Sequence, residues 1–431
     1  MSSIGIGLAG FGTVGGGVWQ NLRRNAAVLE QRTGLNFAVR RVALRDLQKK
    51  RAVELPPEIV TTDWRDVVAD PAVRIVVELM GGIEEPYQLV TQAIAAGKIV
   101  VTANKALLAE HGREIFALAQ KHRVPVFYEA AVAGGIPIIK AVREAFVGNR
   151  FFSLHAILNG TSNYILTRMQ EAGLSYIDAL AEAQQLGYAE ADPALDVNGW
   201  DAAHKAIILA SLAYGFWLSP KDVLVEGIEK VSAEDIRFAK ELGYRIKLLA
   251  NIRANERNEI EVRVVPTLIQ EKQVLASVDG VFNAVWLFGD VVGASLFYGR
   301  GAGENPTASS VIADLVDAAY ALESPRACVG FTPHALYGSV LPVEKSVAQF
   351  YLRLAVEDRP GVLAKIAGVL AEKTIGISSV IQPESHESGA VPLVLMIHDA
   401  AYGDMLVAIR EIGALDCIKA EPVLFHVENF S

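Results

Sequence analysis

The chain has 431 residues, with 40 basic and 49 acidic side chains for a net charge of −9, 52% hydrophobic residues and 21% charged ones. That composition is globular: it excludes a largely disordered chain and, at roughly 150 residues per domain, allows about three domains. The acidic balance disfavours a polyanionic partner such as nucleic acid and leaves a small-molecule ligand as the first expectation.

From 4 to about 128, short β-branched runs at 4–8, 37–44, 74–79, 99–102 and 124–128 alternate with segments of helical length at 14–30, 86–96 and 106–122. That rhythm predicts βαβ units and a parallel sheet, with Gly97 closing a helix just before the next strand. Between about 130 and 305 strands and helices mix without it. Ser175 with Asp178 reads as a capping box opening a helix that stops at Gly187. Ala202, Ala203, Ala206, Ile207, Leu209 and Ala210 give a helix from about 199 to 214 a broad apolar surface, so it is expected to be buried. Strand character returns over 258–298, before a helix over 307–322 with Asn305 as N-cap and Pro306 at its first position. Strands at 348–356, 375–382, 391–397 and 422–427 with helices at 361–373 and 402–412 then spell a βαββαβ module. It lacks a cluster of reactive side chains and suits regulation better than catalysis. The expected fold class is α/β: a Rossmann-type parallel sheet over 1–130, completed by about 305–330, a central α+β part over 131–304, and the small module over 349–431.

Cys328 and Cys417 are too few for a disulfide framework and lack zinc-site spacing, which fits a reducing compartment. The first twenty residues are apolar but have no basic leader and carry Gly at seven positions, unlike a secretory signal or a membrane helix. The longest apolar stretch, 206–218, is too short to span a bilayer. A cytoplasmic protein without membrane contact is expected.

Gly10-Phe11-Gly12-Thr13-Val14-Gly15 is a G-x-G-x-x-G between a strand and a helix, where glycines allow a tight turn and let backbone N–H groups approach a pyrophosphate. At the end of the second strand Arg45, with Lys49, Lys50 and Arg51, suits the extra phosphate of NADP, while Asp46 suits the ribose of NAD. NADP is favoured, with dual use open. Thr102-Ala103-Asn104-Lys105 ends a parallel strand at the edge where open α/β sheets bind ligands, so Lys105 can face nicotinamide and substrate. The stretch from Leu186 to Lys205 holds Glu190, Asp192, Asp196 and Asp201 on a loop entering the apolar helix. Asp201 and Lys205 are spaced i, i+4 there, either as a helix salt bridge or as working charges that justify burying a lysine. His204 is read as structural or supporting. Asn159-Gly160-Thr161 fits a glycosylation acceptor but reads better as a strand-to-helix turn. Asp192, Asp196 and His204 make a poor transition-metal set.

In order, these motifs, together with Tyr128-Glu129-Ala130-Ala131-Val132-Ala133-Gly134-Gly135-Ile136-Pro137, Asn159-Gly160-Thr161-Ser162-Asn163-Tyr164 and Gly301-Ala302-Gly303-Glu304-Asn305-Pro306-Thr307, closely resemble the homoserine dehydrogenase family in its monofunctional form with a C-terminal ACT domain. The resemblance covers essentially the whole chain. It implies NAD(P)-dependent interconversion of L-aspartate 4-semialdehyde and L-homoserine, toward threonine, isoleucine and methionine. It makes Lys205 the proton donor or acceptor, and Lys105 a positioning group for substrate and cofactor. Glu190 and Asp201 become the holders of the substrate's amino end with Asp196 in support, and Gly303 a cofactor contact beside Gly10 to Gly15 and Thr102. It also implies a structural sodium ion on Glu129 and the carbonyls of Val132, Gly134 and Ile136. A dimer contact in the central, substrate-binding domain follows from it too, within a homodimer or homotetramer, as does a threonine effector at the ACT domain, where Asp358-Arg359-Pro360-Gly361 forms the first turn.

A lysine is ordinarily protonated at pH 7, so Lys205 is a competent acid for aldehyde reduction. For alcohol oxidation it must be neutral; Lys105 would favour that, Glu190 and Asp201 would oppose it. A semialdehyde dehydrogenase working through a thioester would need a nucleophilic cysteine, and both cysteines lie beyond the motif regions. An amino-acid sensor on a vestigial nucleotide fold would not need the two lysines.

Overall fold

The computed structural model describes residues 3–51, 53–323, 330–383 and 390–430; Cys328 therefore lies outside the described residues. The first stretch alternates strands and helices: β1 (Ile4–Ala9), α1 (Thr13–Arg24), α2 (Ala26–Thr33), β2 (Phe37–Ala43), β3 (Val60–Thr61), α3 (Trp64–Ala69), β4 (Ile75–Glu78), α4 (Glu84–Ala95), β5 (Ile99–Thr102), α5 (Lys105–His122) and β6 (Val126–Phe127). These strands pair in parallel in the order β3-β2-β1-β4-β5-β6. β4 and β5 are buried along their whole length, as their unbroken apolar runs require of strands covered on both faces. The order reverses between β1 and β4, which opens a crevice at their carboxyl ends.

Two expectations here need correcting. The helix expected over 14–30 is two helices, because Asn25 leaves the helical region at φ −106° and ψ 17°. The strand expected over 124–128 shrinks to two residues, because Arg123 turns left-handed at φ 57° and the Val124 N–H closes the end of α5 on Ala119.

Further along come α6 (Ile138–Lys140), β7 (Phe151–Ile157), α7 (Gly160–Ala172), α8 (Tyr176–Gln185), α9 (Ala194–Val197), α10 (Trp200–Tyr214), β8 (Leu224–Val225), α11 (Ala233–Glu241), β9 (Tyr244–Ala254), β10 (Ile260–Gln270), β11 (Phe282–Gly289), β12 (Gly293–Arg300) and α12 (Glu304–Glu323). The Ser175 hydroxyl caps α8 by accepting the Asp178 N–H, and Gly187 follows at φ 74°. α12 starts earlier than expected: Asn305 is inside it and accepts the Asn21 amide at 2.9 Å instead of capping. Pro306 sits in the first turn, where its missing N–H costs nothing. The last stretch is β13 (Val347–Glu357), α13 (Val362–Glu372), β14 (Ile377–Ile381), β15 (Ala390–Ala401), α14 (Tyr402–Gly413) and β16 (Val423–Glu428).

The chain divides into two units, one of Met1–Phe152, His204–Pro220 and Asn283–Tyr337, the other of Ser153–Ala203, Lys221–Phe282 and Gly338–Ser431. In the first, Ile6, Leu8, Val18, Ile75, Val77 and Val101 pack against Val311, Leu315 and Ala318 of α12. α1 and α12 approach closely at Gly17, where a Cβ would stand 2.7 Å from the Glu304 side chain. In the second unit the sheet runs β7-β9-β10-β16-β13-β15-β14, with β8 beside β10. β16 pairs in parallel with β10 and antiparallel with β13. Arg263, almost fully buried, is held between the carboxylates of Glu261 and Glu428. No helix among the described residues is long and apolar enough to cross a membrane.

Candidate active site

In the first unit the ligand edge is shaped by glycine. Gly10 adopts φ 96°, and a Cβ there would stand 2.4 Å from the Leu79 carbonyl oxygen; one on Gly15 would stand 2.6 Å from that of Gly10. Gly12 faces open space and caps α1 without a side chain, so the first N–H groups of the helix are left for an anion. Phe11 turns inward, edge-on to Trp19, while Thr13 is exposed and Val14 packs against the core. This turn fits a dinucleotide: among the described residues nothing stands within 4 Å of where a Cβ on Gly12 would be. Arg45 is exposed just beyond β2. Asp46 is engaged in its own turn, accepting the Gln48 N–H at 2.8 Å, and its carbonyl accepts the Arg51 guanidinium.

Thr102 ends β5 fully buried, its hydroxyl donating to Glu78 at 2.6 Å and accepting the Asn104 N–H at 3.0 Å. Its hydroxyl therefore holds neighbouring residues in place and is turned away from solvent. Asn104 caps α5 by accepting the Leu107 N–H at 3.0 Å. Lys105 is thus the first residue of that helix, the end where a cation is disfavoured by about 0.3–1 kcal/mol. Lys205 is buried on α10, amid Ala202, Ala203, Ala206, Ile207, Ile208 and Leu209, all sealed from solvent. Gly303 precedes α12 at φ 121° and accepts the Thr307 N–H.

The loop after β6 holds buried Glu129, whose two carboxylate oxygens accept the N–H groups of Ile139 and Lys140 at 2.9 and 2.7 Å. Its own N–H donates to buried Asp314. Burial raises the Glu129 carboxyl to about 7 from its ordinary 4.5, against those hydrogen bonds and the nearby Arg143 and Lys140. Asp314 is raised as well, by burial first and then by Glu129. The Gly134 carbonyl accepts the Ser310 hydroxyl, and that of Ile136 accepts the Ile138 N–H. Ala133 is left-handed at φ 53°, a strained conformation for a residue with a Cβ. A buried carboxylate whose oxygens keep lone pairs beyond those two N–H bonds, and carbonyls with a second lone pair, are oxygen donors that fit a hard cation.

In the second unit Asn159 organises the acidic loop. Its side-chain oxygen accepts the Ser162 N–H at the start of α7, so its amide group must point the other way, donating to Asp196 at 2.7 Å and Asp201 at 2.9 Å. The Ser162 hydroxyl donates to the Asp196 carbonyl. Asn159 is buried, so the glycosylation match is indeed a strand-to-helix turn. Of the four carboxylates, Asp196 and Asp201 are gathered; Glu190 and Asp192 are exposed, with Asp192 accepting the Ala194 N–H. The Ile228 N–H bonds the Val197 carbonyl, bracing the loop from below, and neighbouring Glu226 accepts the Tyr402 hydroxyl. In the same unit a cavity of about 340 Å³ is lined by Asp358, Arg359, Pro360, Gly361, Gln382 and Leu393.

Sequence reasoning missed the parts played by Asn159 and Glu78. A cap residue straight after an apolar strand, and a lone carboxylate ending the buried run 75–78, were the available signals.

A family model described as homoserine dehydrogenase matches residues 137–316, and one described as homoserine dehydrogenase, NAD binding domain, matches residues 10–129. The chain is 46% identical to the homoserine dehydrogenase of Pseudomonas aeruginosa, covering 100% of both, and 44% identical to that of Neisseria gonorrhoeae, covering 100% of this chain and 99% of the other. The crystal structure of a homoserine dehydrogenase from Thiobacillus denitrificans is similar with a TM-score of 0.94 at 47% identity, over 100% of this chain and 99% of that one. A hyperthermophilic archaeal homoserine dehydrogenase in complex with NADPH covers 74% of this chain and 98% of its own, with a TM-score of 0.61 and 26% identity.

Proposed function

The chain belongs to the homoserine dehydrogenase family, NAD(P)-dependent oxidoreductases acting on a CH–OH group, and on that premise we propose how its residues divide the work. The reaction interconverts L-aspartate 4-semialdehyde and L-homoserine, and bound NAD(P) supplies or takes up the hydride. Lys205 gives the proton to the carbonyl oxygen in reduction and recovers it in oxidation. Asp196 and Asp201, gathered by Asn159, hold the substrate's ammonium group together with Glu190. Lys105 orients substrate and nicotinamide. The turn from Gly10 to Gly15, with Phe11, Gly12, Thr13 and Val14, cradles the pyrophosphate, Gly303 closes on it, and Arg45 takes the extra phosphate of NADP.

The observation that carries this reading is the burial of Lys205 among the alanines and isoleucines of α10, one turn from Asp201. Lys205→Ala should lower kcat by about a hundredfold or more with cofactor affinity nearly unchanged, the scale of a lost general acid. Normal turnover in that variant would remove Lys205 from the chemistry. Among the described residues the one cysteine, Cys417, is buried inside the C-terminal module, where it is poorly placed to be the nucleophile of the thioester alternative.

Around this core we place the rest of the reading. Residues 1–130, completed by about 305–330, form the dinucleotide-binding domain, 131–304 the substrate-binding and dimerisation domain, and 349–431 an ACT domain. Glu129 with the carbonyls of Val132, Gly134 and Ile136 would hold a sodium ion that stiffens the loop. The cavity at Asp358–Gly361 suits an amino acid such as threonine, and threonine added to the assay checks it. Phe152, Leu296 and Tyr298, 46%, 42% and 54% exposed, support a dimer or tetramer, which sedimentation velocity would read. The cytoplasm is the compartment this chemistry fits.

A further inference from the structure

Glu78 ends β4, facing Ala9 of β1 on one side and Thr102 of β5 on the other. It is 0% exposed, a carboxylate inside an apolar sheet. One of its oxygens accepts the Thr102 hydroxyl at 2.6 Å and the other the Met80 N–H at 2.8 Å. Asn104 and the Gly81 N–H also bear on it, and all four groups are neutral, so burial dominates and raises its proton affinity. Such a group is costly to keep, and the lysine mechanism makes no use of it.

Its effect is to fix directions. A carboxylate only accepts, so the single Thr102 hydroxyl proton goes to Glu78, leaving lone pairs that take the Asn104 N–H at 3.0 Å. Asn104 then spends its oxygen on the Leu107 N–H and its amide on the Gly82 carbonyl at 2.8 Å. One chain of one-way hydrogen bonds thus fastens the start of α5, where Lys105 stands, to the turn after β4. That turn also touches the glycine motif: the Leu79 N–H bonds the Ala9 carbonyl, and the Leu79 carbonyl fills the space a Gly10 side chain would need. Gly81 and Gly82, left-handed at φ 74° and 79°, face open space.

We propose that Glu78 is a positioning residue for the nicotinamide cofactor, acting through Thr102 and the 79–82 turn and touching neither cofactor nor substrate. Glu78→Gln keeps the shape but brings a donor. That NH₂ either faces the Met80 N–H, donor against donor, or donates to the second lone pair of the Thr102 oxygen, whose own buried proton then loses its acceptor. Titration of NADPH fluorescence should show affinity falling about tenfold or more in Glu78→Gln, the scale of a lost charged hydrogen bond, while kcat at saturating cofactor changes less than threefold. Thr102→Val should weaken binding in the same direction and by no more than Glu78→Gln, Thr102→Ser should bind like the parent, and the double variant Glu78→Gln/Thr102→Val should be no weaker than Glu78→Gln alone.

The inference rests on cofactor binding at this edge, so parent protein is titrated alongside: saturable binding there with Glu78→Gln within twofold overturns the role of Glu78 alone. So does a lower melting temperature with unchanged affinity, or strictly additive losses. If Glu78→Gln does not fold, the Thr102 pair decides, and equal affinities of the Ser and Val variants overturn the inference.

Discussion

The glycine turn of the first unit and the acidic loop of the second are both organised in advance, by different means. Around Gly10 to Gly15 the backbone itself is the device: positive φ and carbonyls set against missing Cβ atoms leave a single way for the chain to run. Around Asp196 and Asp201 the chain also uses one left-handed glycine, Gly199 at φ 89°, but it is a side chain, Asn159, that gathers the two carboxylates, by dividing its oxygen and its amide between a helix end and both of them. A site of the first kind tolerates changes of side chain that leave glycine alone. One of the second kind depends on a few atoms that an isosteric replacement disturbs.

The largest test of that contrast is Asn159→Ala. It takes one amide donor from two carboxylates and uncaps α7, so kcat/KM for homoserine should fall about tenfold to a hundredfold, expressed in substrate KM, while the cofactor Kd stays within twofold. A shift of the cofactor Kd instead would mean that the two regions are not separately built. Next is Arg45→Ala, which should weaken NADP about tenfold and NAD hardly at all, as expected of a lost charged contact to phosphate. Equal losses for both would end the phosphate role.

The smallest effect concerns Glu129. Its carboxyl holds a proton up to about pH 7 in the folded chain and only to about 4.5 otherwise, so between those values the native state binds more protons than the unfolded one. Stability from this group is therefore greatest at low pH and falls as pH rises through that window. Sodium would compensate only the ionised form, so exchanging potassium for sodium should raise Tm by roughly 2–4 °C at pH 8 and by much less at pH 5. A gain of equal size at both pH values would detach the ion from Glu129.

How much could be read beforehand follows the same division. Gly10, Gly12 and Gly15 announced themselves because glycine spacing between strand and helix reports a backbone requirement, and the parallel sheet followed from the alternation over 4–128. The pairing of Asp196 with Asp201 through Asn159 did not, since the partners lie 37 and 42 residues apart and an Asn-Gly-Thr run has several commoner meanings. Asn305 shows the limit at a helix end: a good cap residue was drawn into a contact with Asn21, a neighbour distant in sequence. The break at Asn25 was likewise invisible to periodicity, because α2 buries no residue and leaves no apolar stripe.

The place of β16 has a bearing on how the chain is made. Residues 423–428 slot between β10 and β13, so Thr267 waits for His426 across more than a third of the polypeptide. Until that interval has been translated, β10 beyond its short pairing with β8 and, once made, β13 each lack a neighbour and are open to pairing with another nascent chain. Translation that stops short of this strand would leave both edges exposed, and such fragments should aggregate, however well the amino-terminal sheet has formed.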